Sequence, residues 1–485
     1  MKRSTYIRSL LVGCVAFATS CDLTENVQVK ADKSMIFGSK SGLELYSNSF
    51  YKALPTLKNG FMQDKMCDVG AVSNTDTFIK QGAYNTETAT SWSWGTLKNV
   101  NYFIDGCNDP KYCTVDAETR DNYLGIARWF RAWFYYDKLT TYGEVPWFPN
   151  DIQSYQNDVM YKDRDSRDVI IRNLIADLDF AYEHIQATSS TGSATLTRWA
   201  AAALKSRVCL YEGTFRKYHG LDDADYYLAE CVSAAGTFIE KSGYTIYKSG
   251  STPYLNLFSS INAISSEIIL ARAFNTAIGL KHDVNGYLTG TTMGRPGLLK
   301  NVANMYLMKD GTPFTSQPGW ETMQLPDESK NRDGRFAQTV RTPGYKRIDD
   351  DKESAPNLAA TMTGYQLVKF LLPAKYDAYQ ASTSDMPLFR TAEVYLNYAE
   401  AKAELGTLTQ DDIDLTIKKL RDRAGMPNLD MAQANANPDP YLSAPETGYP
   451  NVTGSNKGVL LEIRRERTIE LLQEGHRYYD LIRWK

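Results

Sequence analysis

Apolar residues between positions 390 and 427 follow the spacing of two consecutive helices. On the first helix they recur at three- and four-residue intervals, which places them on one face: Ala392, Tyr395, Leu396, Ala399 and Ala403. Gly406 predicts the end of this helix, and Thr409 with Asp412 has the capping-box spacing of a second helix, which ends at Gly425. The unit spans roughly 34–38 residues, the size of a tetratricopeptide-type helix pair. One pair cannot bury its apolar face alone, so further pairs are expected.

Similar apolar stripes predict helices at six other places along the chain: 40–59, 95–106, 123–139, 165–187, 197–212 and 222–240. Gly143 and Gly213 are the predicted stops after two of these helices. The stripes are absent from 241–389, where runs rich in Gly, Thr, Pro and Asn surround one predicted buried strand at 266–270, and 428–456 is again predicted as loop. A charged amphipathic helix is predicted over 458–485. The predicted fold is mostly α-helical, with four irregular tetratricopeptide-like helix pairs and a loop-rich lobe containing few short strands.

The N-terminus has the features of an export signal. Lys2, Arg3 and Arg8 precede an apolar stretch, residues 10–18, that is too short to span a bilayer as a helix. Small residues stand directly before Cys21, as in a bacterial lipoprotein signal. We therefore predict four parts: a signal peptide over 1–20, lipidation at Cys21, a polar tether over 21–39, and a single domain over 40–485 with a loop-rich insertion at about 241–389.

Composition narrows the possible partners. The formal net charge of −3 provides no basic surface, so no nucleic-acid partner is expected. The 32 Tyr, 18 Phe and 8 Trp residues suit the stacking of sugar faces as well as core packing. Five cysteines lie outside the signal, too few for a disulfide scaffold. Cys107 and Cys113 flank a short loop, and the sequence leaves open whether they pair or remain thiols.

Motifs for catalysis are absent from the sequence. The four histidines are not placed at metal-ligand spacing, and there is no H-E-x-x-H, G-x-S-x-G, Walker A or G-x-G-x-x-G motif. Counting carboxylates leaves a glycosidase pair open, because that chemistry depends on a separation in space. We predict no enzymatic activity, no catalytic residue, no bound metal and no cofactor.

Several stretches resemble the SusD/RagB family of outer-membrane lipoproteins of Bacteroidetes. The C-terminal segment carries residues similar to the family's closing signature: Glu466, Arg467, Glu470, Leu471, Glu474, Gly475, Arg477, Asp480, Leu481, Arg483 and Trp484. The helix that begins near 390 is similar to a second family segment: Arg390, Ala392, Glu393, Tyr395, Leu396, Ala399 and Glu400. A third match is at the end of the helix predicted over 123–139: Arg131, Ala132, Tyr142, Gly143, Val145 and Pro146. Members of this family continue past the closing signature, so the resemblance implies a further segment beyond Lys485.

The resemblance implies a lipid-anchored protein on the outer surface of the outer membrane. Such a protein captures glycans and forms a lid over a SusC-like TonB-dependent transporter, and its only contact with the membrane is the lipid. Two alternatives stay open at this point. Some members of this family capture peptides, and a helical glycosidase is a third hypothesis.

Aromatic and polar residues in the loops are the candidates for the glycan site, because pyranose C–H faces pack on aromatic rings and polar side chains bind the hydroxyls. The candidate residues are Trp92, Trp94, Trp320, Tyr84, Asp68, Asn74 and Arg295. The helical spacing of Trp129, Trp133 and Trp199 favours a place in the core. Four charged residues of the C-terminal segment are expected to form a structural ion network: Arg467, Glu470, Glu474 and Arg477.

Overall fold

The computed structural model describes residues 32–56, 67–74, 79, 85 and 91–485, and most of these residues lie in or between α-helices. The helices of the first half are α1 (Lys33–Phe37), α2 (Lys40–Ser47), α3 (Gly95–Asn108), α4 (Ala117–Tyr142), α5 (Asn157–Met160), α6 (Arg167–His184), α7 (Arg198–His219) and α8 (Ala224–Lys241). A 3₁₀ helix, Asn48–Ala53, continues directly from α2. The predicted signal peptide and Cys21 lie outside the described residues.

The second half begins with short elements. Its helices are α9 (Pro253–Ser259), α10 (Val284–Thr289), α11 (Lys300–Met305), α12 (Leu325–Glu328), α13 (Gly334–Thr339), α14 (Thr391–Glu404), α15 (Gln410–Leu415), α16 (Ile417–Ala424), α17 (Met431–Ala436), α18 (Pro440–Ser443), α19 (Lys457–Glu470) and α20 (Arg477–Trp484). The strands are β1 (Gly70–Ala71), β2 (Ile268–Arg272), β3 (Gly297–Leu298) and β4 (Met386–Arg390). The predicted fold class is confirmed.

The long helices pack in series and build the main core. Helix α4 contacts α3 and α6, α6 contacts α7, α7 contacts α8, and α8 contacts α14, which in turn contacts α19. Trp129 and Trp199 are buried in this core, and the half-buried Trp133 stacks on Trp129 with 5.7 Å between ring centroids. Gly143 and Gly425 have positive φ directly after a helix, and Gly406 has positive φ two residues after the end of α14, which confirms them as stops.

The loop-rich lobe has a second core and is closed by paired strands. β2 and β4 are antiparallel, with Ile268 opposite Arg390 and Arg272 opposite Met386. The pairing brings the two ends of the lobe together at the start of α14. β1 and β3 form another antiparallel pair, in which Gly70 faces Leu298. The β2–β4 pair therefore holds the lobe beside the start of α14, and the β1–β3 pair joins it to the segment that contains Gly70.

Three local predictions are wrong. The described end of the predicted tether contains α1, whose Phe37 is fully buried against Tyr102 and Phe103. The predicted loop at 428–456 contains the short helices α17 and α18. The single helix predicted over 458–485 is broken between α19 and α20, where Gln473 and Gly475 have positive φ.

Gly213 is not a helix stop, because α7 continues through it to His219. A Cβ at this position would lie 2.7 Å from Leu228 Cγ and 3.0 Å from the backbone nitrogen of Leu228 on α8. Glycine is therefore explained by the close approach of two helices, not by the end of one.

We expect Gly213→Ala to lower the free energy of unfolding by about 1–3 kcal/mol, because overpacking between α7 and α8 outweighs the better helix propensity of alanine. Gly236→Ala is the matched control, since it also lies inside a helix and its Cβ would meet only a ring atom of Tyr398 at 3.5 Å. This control should be neutral or stabilising in urea unfolding followed by circular dichroism. Equal effects of the two substitutions would contradict the assignment.

Candidate functional site

An exposed aromatic surface lies where the chain enters α3. Trp92 is 44% exposed, and its ring makes edge contacts with Tyr142 at 4.9 Å and Trp94 at 5.2 Å. Arg164 lies over the same ring, with 5.5 Å from its guanidinium carbon to the centroid. We call this group of Trp92, Tyr142 and Arg164 the Trp92 surface. It presents one open indole ring next to a cation and a phenol.

Trp94 supports this surface from below. Its ring contacts Phe134 at 5.5 Å and Phe148 at 5.4 Å, and the residue is partly buried against the main core. Trp94 stands directly before α3, which begins at Gly95. The structure thus brings the two sequence-predicted tryptophans together and gives them different roles, since Trp92 is open to solvent and Trp94 packs inside.

Hydrogen bonds hold the Trp92 surface in place. The Ser91 and Tyr142 hydroxyl oxygens are 2.7 Å apart, and Lys138 Nζ donates to the Ser91 carbonyl at 2.6 Å. Arg164 donates to the carbonyls of Tyr142 and Glu144 at 3.2 and 3.0 Å. Two cations and the end of α4 therefore fix the segment that carries Trp92.

Sequence reasoning missed Tyr142, Lys138 and Arg164 as members of the site. Tyr142 and Lys138 lie on the last two turns of α4, one helical turn apart, whereas Arg164 comes from the connection before α6. The i, i+4 spacing of Lys138 and Tyr142 shows that they share a helix face. Nothing local to Arg164 indicates that it reaches Trp92.

Trp320 lies in a different environment. It opens a 3₁₀ turn, Trp320–Thr322, and its ring contacts Tyr441 at 5.8 Å and Phe314 at 6.4 Å. Tyr441 in turn donates to the Asn301 carbonyl and accepts a hydrogen bond from Asn304. Among the described residues, the ring contacts of Trp320 are confined to this group, so the structure does not place it on the Trp92 surface.

The polar candidates have separate surroundings. Asp68 accepts two hydrogen bonds from Arg477, at 2.7 and 2.6 Å. Arg295 has a positive φ and donates to the Ala359 carbonyl at 2.7 Å, which ties its loop to the neighbouring one. Asn74 is exposed, and Tyr84 lies outside the described residues. Asp68 and Arg295 therefore have structural partners, and none of the three described polar candidates contacts Trp92.

The expected ion network of the C-terminal segment is present and buried. Glu470 accepts hydrogen bonds from Arg335, Arg390 and Arg423. Glu474 accepts from Arg390 at 2.6 Å and from Lys369 at 2.7 Å. These groups are occupied with one another inside the protein, so they are structural and not available to a sugar.

In the described part of the chain, no group of three or more His, Cys, Asp or Glu side chains could hold a metal ion. None of the helices described is both long enough and apolar enough to cross a membrane. Cys107 and Cys113 are both thiols in the structure, and Cys209 and Cys231 are buried in the main core.

Comparisons with known proteins show which sequences and folds this chain is similar to. Residues 272–485 match the model of the SusD family. A curated relative, a SusD-like protein from Formosa agariphila, is 22% identical over 414 residues, which cover 80% of this chain and 68% of the relative.

Solved structures extend the likeness to nearly the whole chain. A SusD-like carbohydrate-binding protein from Bacteroides fragilis superposes with a TM-score of 0.71 at 19% identity, over 93% of this chain and 87% of its own. Another structure, solved with a xylogluco-oligosaccharide, gives a TM-score of 0.60 at 18% identity, over 93% and 82%. At these identities the comparison shows a shared fold.

Proposed function

We propose that this chain, whose residues 272–485 match the SusD family model, is a cell-surface lipoprotein that captures oligo- or polysaccharide and delivers it to a SusC-like TonB-dependent transporter. In this proposal the lipid on Cys21 holds the protein at the outer membrane. The protein itself carries out no chemistry on the glycan. Its task is to bind the chain and pass it on.

The observation that carries the proposal is the exposed ring of Trp92 in a carbohydrate-binding fold. An indole face offers an apolar platform for the C–H groups of a pyranose ring. Arg164 and the Ser91 hydroxyl are placed beside the ring to bind sugar hydroxyls. Stacking of nucleic-acid bases on aromatic side chains is worth about 1–3 kcal/mol per ring, and we use this as the scale by analogy.

We expect Trp92→Ala to weaken binding of the cognate polysaccharide about 5- to 150-fold, the factor that corresponds to about 1–3 kcal/mol. The measurement is retention in native gels cast with single polysaccharides, from which a dissociation constant is obtained by varying polysaccharide content. Tyr161→Ala is the matched control, because Tyr161 is 80% exposed and lies outside the Trp92 surface.

The same gels distinguish the Trp92 surface from the rest of the proposal. Unchanged retention of Trp92→Ala on a polysaccharide that retains the wild-type chain would contradict the assigned surface. Binding of a peptide mixture in parallel, with no retention by any polysaccharide, would contradict glycan capture and favour the peptide-binding alternative.

A further inference from the structure

A cavity of about 350 Å³ opens next to the Trp92 surface, between α4, α7, β4 and α20. Its volume lies in the range of about 300–1,000 Å³ that is usual for small-molecule sites. Ser93, which separates Trp92 from Trp94 in sequence, lines it, and so does Lys138, which bonds to Ser91. The cavity therefore adjoins the segment that carries Trp92, on which we place the glycan.

The walls of the cavity are largely aromatic. Tyr136, Tyr211 and Tyr479 line it and contact one another, with ring centroids 5.8 to 6.5 Å apart. Trp133 and Phe134 add two more rings from α4. Such a lining offers flat apolar faces deep inside a space that small ligands can enter.

Three polar groups that line the cavity have no hydrogen-bond partner among the described residues. They are the Asp137 carboxylate, the Tyr136 hydroxyl and the His476 imidazole. Tyr136 is 7% exposed as a residue, but its hydroxyl is not sealed inside the core, so it is accessible from the cavity. A ligand that both donates and accepts hydrogen bonds would satisfy all three groups.

The imidazole of His476 is suited to such a ligand. Burial, together with the charges of Arg207 and Arg467, holds the pKa of His476 well below its usual range. The ring is therefore neutral, with one donor and one acceptor nitrogen.

The three arginines that line the cavity are already paired with carboxylates, which argues against an anionic ligand. Arg207 is bound to Glu393 at 2.5 Å, Arg467 to Asp480 at 2.8 Å and Arg483 to Glu400 at 2.5 Å. Lys138 donates to the Ser91 carbonyl. Asp137 on the rim is left as a carboxylate that can accept hydrogen bonds from hydroxyl groups.

We propose that this cavity receives one neutral pyranose ring, the terminal residue of the glycan whose neighbouring ring lies on Trp92. The aromatic walls take the C–H faces, and Asp137, Tyr136 and His476 bind the hydroxyls. This inference rests on the proposed function and adds to it, because it means that the protein recognises the terminal residue of a glycan chain. A recessed pocket of about 350 Å³ admits the end of a chain, whereas an exposed ring such as Trp92 accepts any position along a chain.

The test uses free monosaccharides and the full chain. D-glucose, D-galactose, D-mannose and D-xylose are titrated one at a time, and binding is followed by saturation-transfer NMR. We expect saturable binding of at least one of these sugars. Ser93→Trp, which fills the mouth from an exposed position, should abolish it.

Two conservative variants test the named groups. Asp137→Asn and Tyr136→Phe keep the shape of each side chain, and each should raise the dissociation constant about tenfold, as expected for loss of a hydrogen bond in a buried or charged setting. Glu118→Gln, an exposed acid on the same helix, is the matched control and should leave binding unchanged. Circular dichroism checks that each variant is folded.

The outcomes separate this inference from the proposed function. Polysaccharide retention by the wild-type chain without binding of any of the four sugars would overturn the terminal-ring site and leave glycan capture standing. Sugar binding that survives Ser93→Trp would also overturn it. If D-glucosamine or L-lysine binds more tightly than the four neutral sugars, and Asp137→Asn abolishes that binding, the ligand of the cavity is an amine and the neutral-sugar assignment is overturned. If no polysaccharide retains the wild-type chain, the result counts against the proposed function instead.

Discussion

Replacing Glu470 with alanine is expected to lower the free energy of unfolding by about 3–5 kcal/mol, the usual cost of breaking a buried ion pair. The side chain of Glu470 is fully buried and accepts hydrogen bonds from Arg390 at 2.7 Å and Arg335 at 3.0 Å, and also from Arg423. Burial alone would raise the pKa of Glu470, but these three guanidinium groups hold it far below its usual range. Without this carboxylate, three buried cations lose a shared counter-charge.

Urea unfolding followed by circular dichroism measures this loss. Glu470→Gln keeps the shape and removes only the charge, so it should lose much of the same stability. Glu240→Ala, an exposed acid in α8, is the control and should change the free energy by less than about 0.5 kcal/mol. A loss of less than about 1 kcal/mol for Glu470→Ala would mean that the arginines find other partners, since removing one member of a buried pair normally costs several times more.

Acid is expected to destabilise the protein through Glu400. This side chain is buried on α14 and accepts hydrogen bonds from Arg483 at 2.5 and 2.8 Å and from the Trp484 indole at 2.7 Å. Burial alone would raise the pKa of Glu400, but the charge and hydrogen bonds of Arg483 outweigh it and lower the pKa from its ordinary value of 4.5 to about 2. The contribution to stability is therefore fully present above the unfolded pKa and is lost as the pH falls through 2.

A shift of this size corresponds to about 3 kcal/mol, at roughly 1.4 kcal/mol for each pKa unit. The check is a comparison of wild-type and Glu400→Gln unfolding from neutral pH downward. The difference between the two should be largest above pH 4.5 and should shrink as the pH approaches 2. A difference that does not vary with pH would show that the lost packing, and not the charge of Glu400, decides the effect.

The helical scaffold was predictable because its signals are local. Apolar residues at helical intervals and glycines at positive φ, such as Gly143 and Gly425, can be read from a few neighbouring positions. Gly213 gave the wrong prediction because its role depends on Leu228, which lies on another helix. The ion network of the C-terminal segment was expected from the sequence, but its partners from other segments, such as Arg335 and Arg423 at Glu470, depend on tertiary contacts.

The candidate site was predictable only where its residues are neighbours in the sequence. Trp92 and Trp94 are two residues apart, so their proximity follows from the sequence. Arg164 and Tyr142 join Trp92 only through the packing of the fold, and Trp320 lies with Tyr441 because tertiary contacts place it there. The cavity beyond Ser93 combines residues from positions 53 to 483, and no local sequence pattern indicates such a combination.

The strand pair that closes the loop-rich lobe determines how well the lobe tolerates insertions and deletions. Because β2 and β4 hold the two ends of the lobe side by side, the intervening residues form a closed excursion from the helical body. The entropic cost of lengthening such a closed segment grows slowly, by about 0.6 kcal/mol for each doubling of its length. Insertions and deletions in the lobe should therefore be tolerated while the helical scaffold stays the same.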